Sequence, residues 1–162
     1  MSRYFTQLDD VWPAGLGRRL GAMLYDGFLV LAIWVAISAL HVLVVRKLLG
    51  LPAEAVGQGN WQVFTLRMLM LGSAFLFFAF FWCRGGMTLG MQAWRLRVQG
   101  QDGAPISLRQ AMIRFAVGTL SFLVFGLGYL WVLFDGQRRS WSDMVSGSQV
   151  VVLPKAVKGS GS

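Results

Sequence analysis

An apolar run from Leu20 to Val45, interrupted only by the carboxylate Asp26 and the imidazole His41, constrains this chain more than any other feature. At 1.5 Å per residue such a helix is about 39 Å long, enough to cross a hydrocarbon core of about 30 Å with some tilt. A cleavable leader needs a shorter apolar region and a small-residue cleavage site, and Arg18-Arg19 lacks the flanks of a twin-arginine signal. The segment is therefore expected to stay in the mature protein. Composition agrees: 56% of the 162 residues are hydrophobic and 14% charged, against about 25% charged in a soluble domain. The single Cys83 and single His41 exclude an intramolecular disulfide and a His/Cys metal site. No cofactor and no metal are expected.

Two further apolar runs follow, Phe64 to Cys83, in which Arg67 can snorkel to the interface, and Phe115 to Phe134, which contains Gly118, Gly126 and Gly128 and is closed by Asp135. The third run is long enough to span, but its Gly-Leu-Gly centre also suits a broken pair of half-helices that enters and returns. Six of seven tryptophans lie near the ends of these runs, where an amphipathic ring prefers the headgroup level, and only Trp34 is mid-segment. Between the second and third runs, Ala93 to Gln99 alternates like a short strand, and Gln149 to Leu153 reads as another. Ser107 is placed to cap a helix leading into the third run.

The predicted fold is an all-α membrane protein. It has two transmembrane helices, a third segment that is a re-entrant or broken helix pair or else a third span, and a small two-stranded β element on the cytoplasmic side. Residues 1–13 read as an N-terminal cytoplasmic segment, 14–153 as one membrane domain with apolar segments 20–45, 64–83 and 115–134, and 154–162 as a flexible tail. Gly159 to Ser162 have linker composition and stay outside the folding argument.

The surplus of 15 Lys and Arg over 7 Asp and Glu serves as an orientation signal once its positions are known. If all three runs span, Arg18, Arg19, Arg84, Arg95, Arg97, Arg109 and Arg114 face Arg46, Lys47, Arg67, Arg138 and Arg139 across the membrane. If the third run returns, Arg138 and Arg139 join the first group and the bias becomes nine to three. The two short strands also favour a return, because each is marginal alone and pairing requires one side. The turn of such a segment needs shelter from lipid, expected from the other two helices.

Asp26 carries the strongest functional signal, since a carboxylate in a spanning helix costs roughly 2.5–3.5 kcal/mol at the bilayer centre. Arg19 precedes it by seven residues on one stripe with Gly15, Ala22 and Ile33, at an axial separation of about 10 Å that is too long for direct pairing. Small residues there admit another segment, and Arg114 or Arg84 is the expected partner of Asp26. Asp26 is then either a clamp that holds helices in register or an exchange site for a proton or small cation. His41 reads as a satisfied interfacial residue, and the methionines as packing.

Three blocks resemble one family. Ala14-Gly15, Arg18-Arg19-Leu20, Ala22 and Asp26 are similar to the opening signature of the RDD family, small bacterial membrane proteins named for one arginine and two aspartates. Thr88-Leu89-Gly90-Met91-Gln92-Ala93-Trp94-Arg95-Leu96-Arg97-Val98 resembles its interhelical segment. Arg139-Ser140-Trp141-Ser142-Asp143, with Gly147 and Val150-Val151, resembles its C-terminal block. The resemblance, to a member of proteobacterial type, covers about residues 14 to 153. It implies Arg19, Asp26 and Asp143 as the signature residues. Arg84, Arg114, Asp135 and Arg139 are candidates for supporting ion pairs. Met91 and Ser142 replace a common lysine and histidine, so no role rests on that histidine.

Two functions are open at this point. One is a transporter or cation/proton exchange component built on Asp26, with a homo-oligomer or membrane partner supplying further helices. The other is a non-transporting scaffold on which Asp143, Arg95 and Arg97 orient a cytoplasmic face. No enzymatic constellation is visible, and nucleic acid is not an expected partner because the arginines flank apolar spans. The expected location is the bacterial inner membrane, with the N-terminus cytoplasmic.

Overall fold

The computed structural model describes residues 11–154. The chain divides into two compact units, residues 27–78 and the remainder. The expected N-terminal segment and tail fall mostly outside the described residues.

The first apolar run lies in α1 (Leu16–Lys47) and the second in α2 (Asn60–Arg84), both longer than the runs that predict them. Both are long and apolar enough to cross a membrane, and little of the apolar stretch of either is buried within the protein. In residues 27–78, Trp34 donates its indole N–H to the Met70 carbonyl at 2.9 Å, and His41 Nε2 lies 3.1 Å from Thr65 Oγ1. These two polar groups within the apolar helices thus find internal partners, as a hydrocarbon solvent demands. Gln62 closes the connection between the helices by accepting from Gly57 N and donating to Ala55 O.

The other unit holds a three-stranded antiparallel sheet, ordered β1-β3-β2. Strand β2 (Leu96–Gly100) pairs with β3 (Ser148–Val152) from Leu96 opposite Val152 to Gly100 opposite Ser148. The predicted pairing is therefore present, but β1 (Trp12–Pro13) adds a third strand on the other edge of β3. That strand is too short, and too interrupted by proline, to be legible in sequence. The expected strand from Ala93 starts instead at Leu96, because Leu89–Ala93 forms a short helix, α3, capped by the Thr88 hydroxyl, which accepts from Met91 N. The alternation that predicted β2 is not its burial pattern, since all five residues are buried.

Ser107 caps α4 (Leu108–Leu123) in a reciprocal box with Gln110. Its buried face carries Ala111, Arg114, Gly118 and Ser121, while Leu108, Met112, Leu120, Phe122 and Leu123 are exposed. This is the reverse of a water-soluble helix, and hydrocarbon is the solvent that favours it. The third run is broken: between α4 and Leu127–Leu133, which comprises α5 (Leu127–Leu130) and a 3-10 turn, the chain bends by 107°. The glycine turn is sheltered differently from expectation. Gly128 packs against Ser121 of α4 and Trp141 of α6 (Trp141–Ser146), and α5 packs chiefly on these two helices rather than on α1 and α2. Glycine is needed there because a Cβ would overlap the Ser121 side chain.

Candidate functional site

Asp143 sits at the third position of α6, where it closes a capping box with Ser140: its Oδ2 accepts from Ser140 N at 3.0 Å, and its N–H donates to Ser140 Oγ. The same carboxylate accepts from Arg19 Nη1 at 2.7 Å and Arg114 Nη1 at 2.6 Å. All three side chains are buried, Asp143 completely. Arg19 also donates to the carbonyls of Ala14 and Arg138, and Arg114 to Ser148 Oγ. One carboxylate thus ties α1, α4, α6 and the start of β3 into a single cluster. Burial pushes the Asp143 carboxyl up, but the guanidiniums of Arg114 and Arg19 and the Ser140 N–H outweigh it and hold the group below the ordinary carboxylate range.

A group depressed in the folded protein stabilises it above the unfolded pKa, and that stability is lost as pH falls through the folded value. For Asp143 the melting temperature in detergent should stay level from neutral pH down to about 4, the unfolded carboxylate value, and fall below it. Asp143→Asn should show a much smaller acid limb, keeping only what the partly exposed Asp135–Arg139 pair contributes. Circular dichroism melts across the pH series check this.

Asp26, 3% exposed on α1, has different surroundings. Thr88 donates its hydroxyl to Oδ2 at 2.5 Å and Gly90 its N–H to Oδ1 at 2.9 Å. No ion pair reaches it among the described residues, so neither expected partner is found. Arg114 is engaged with Asp143, and Arg84 lies over the Phe80 ring at 4.8 Å. The helical donors at the cap of α3 replace a cation, because the small stripe on α1 lets α3 approach closely: a Cβ on Gly90 would run into the Ala22 carbonyl oxygen, and one on Gly21 into the Trp94 ring. Small residues did predict a close approach, though not that a five-residue helix makes it.

Asp135 and Arg139 pair through two side-chain hydrogen bonds at 3.0 and 3.1 Å and a third from Arg139 N at 2.8 Å, and the Arg139 side chain and backbone N–H hold the Asp135 carboxyl below its usual range. Arg97, expected to help orient an exposed face, is buried and donates to Gln99 Oε1; burial pulls its guanidinium down. Asp143 is equally withdrawn from solvent. Thr88 and Gly90 were legible only as parts of a family block, since a neutral hydroxyl and a backbone N–H carry no charge pattern that marks a carboxylate's partner. Among the described residues no three His, Cys, Asp or Glu side chains gather into a metal-binding group.

Two apolar helices, a bent helix pair with polar residues turned inward, and a small antiparallel sheet tied to them by buried arginines define a helical membrane protein. The model of the RDD family matches residues 13–147, so the chain belongs to that family. No curated protein and no solved structure matches it significantly.

Proposed function

We propose that this protein is a cation/proton exchange component of the bacterial inner membrane, with Asp26 as the exchanging carboxylate. The observation that carries the reading is the contrast between the two signature aspartates. Asp143 is held by two arginines, whereas Asp26 is buried without a cation among the described residues. A carboxylate fixed by two guanidiniums stays ionised and serves packing, while one supported only by a hydroxyl and an N–H can change its charge state without stranding a buried cation. Two long helices are too few to enclose a pathway, so the reading includes assembly with further copies or a membrane partner. It assigns neither an enzymatic activity nor a cofactor.

Orientation follows from charge. The nine arginines on one side of the bias all belong to the unit that holds the sheet, and Arg46, Lys47 and Arg67 all belong to residues 27–78. The positive-inside rule then assigns the sheet and the N-terminus to the cytoplasm.

Reconstituted into proteoliposomes, the protein should carry cation-dependent proton flux that Asp26→Asn abolishes at equal incorporation. Equal flux in the variant would remove Asp26 from the mechanism. A second reading, a scaffold that does not transport, draws on the same two hydrogen bonds, because they also staple α3 to α1. Under it Asp26→Asn lowers the melting temperature and no flux is seen in either protein.

A further inference from the structure

The bend between α4 and α5 places an exposed phenylalanine at a left-handed backbone position. Helix α4 ends with Gly126 N–H donating to the Ser121 carbonyl at 2.7 Å, the six-to-one bond of a Schellman stop. The left-handed position of such a stop belongs to glycine. Here it is Phe125, at φ 57°, with Gly126 following at φ 76°. The Phe125 side chain is 94% exposed, and Phe122, Leu123 and Leu127 around it are exposed as well. A phenylalanine ring that touches almost nothing is unfavourable in water, while its left-handed backbone carries a steric cost that is the same in any solvent.

Both ends of the bent pair are anchored to one sheet. Strand β2 precedes it and β3 follows it, and the two are paired along five residues, so the chain leaves and returns to the same side. The return arm, Leu127 to Leu133, is about 12 Å long from its α and 3-10 rises, against about 15 Å for one leaflet of the hydrocarbon core. Polar groups face inward along the pair: Tyr129 Oη packs against Gly118, and Arg114 and Ser121 are buried.

We propose that α4 and α5 form a hairpin inserted into a single leaflet, with Phe125 at its tip among the acyl chains and the sheet held at that membrane face. The occupant of its exposed apolar surface is lipid. The reversed amphipathicity of α4 and the shared side of its flanking strands select lipid over a soluble partner. This assignment is independent of any exchange by Asp26.

The test uses the full chain in vesicles with Cys83, the only cysteine, replaced by serine. Single cysteines go to Gln101 and Gln137, both exposed on either side of the hairpin, and to Phe125, with Leu123→Cys as a second tip position. Gln101→Cys and Gln137→Cys should react with an impermeant maleimide from the same face. Phe125→Cys and Leu123→Cys should lose that labelling from both faces, and a bimane attached there should be quenched by lipids brominated on their acyl chains. Labelling of 101 and 137 from opposite faces would overturn the proposal, as would aqueous labelling of both tip positions.

Discussion

Replacing Asp143 with asparagine should cost about 3–5 kcal/mol of stability, the range for removing one partner of a buried ion pair. The reason is what remains: Arg19 and Arg114 keep their burial and lose the only carboxylate that pairs with them among the described residues. Asparagine preserves shape and can still accept from Ser140 N, so the loss reports charge rather than packing. The variant should melt far below wild type in detergent, and an unchanged melting temperature would show that the cluster is not a clamp. Asp26→Asn strands no cation and should cost much less, which is what makes the flux comparison interpretable. Asp135→Asn breaks only a partly exposed pair within one turn and should have the smallest effect of the three.

Gly90→Ala should be the second large effect, about 1–3 kcal/mol, the usual cost of forcing a methyl group into a filled space. Its Cβ would lie 2.9 Å from the Asp26 carboxyl carbon and would overlap the Ala22 carbonyl oxygen. The second of these is helix backbone and cannot rotate away, so α3 must shift and the Gly90 N–H to Asp26 bond must lengthen. Gly85→Ala, five residues earlier with open space around it, should leave the melting temperature unchanged. Parallel thermal melts of the two alanine variants check the contrast. Similar losses in both would mean that backbone freedom, and not the α3 contact, sets the requirement.

Much of the architecture is legible in the sequence. Runs of apolar residues long enough to cross a bilayer are a one-dimensional signal, and so are the Ser107 cap, the pairing of the two C-terminal strands and the break at Gly126–Gly128. The site was readable only in part. Asp26 stands out because charge is costly in hydrocarbon, whereas Arg19 and Asp143 stand out through the resemblance to the RDD family. Their partners do not stand out, and the expected pairing of Asp26 with Arg114 or Arg84 gave way to Thr88 and Gly90.

The sequence by itself determined the solvent of this protein, its long helices and the carboxylate that interrupts the first of them, because the cost of burying or exposing a side chain follows from its chemistry and its neighbours along the chain. Only the tertiary structure decided which charges meet. Arg19 and Asp143 are 124 residues apart in the chain and 2.7 Å apart in space, while Arg19 and Asp26, two turns apart on one helix, belong to separate constellations. A charged group deep in a protein takes whichever donors or acceptors the packing of other elements delivers to it. That delivery depends on how closely small residues let α3 and α6 approach.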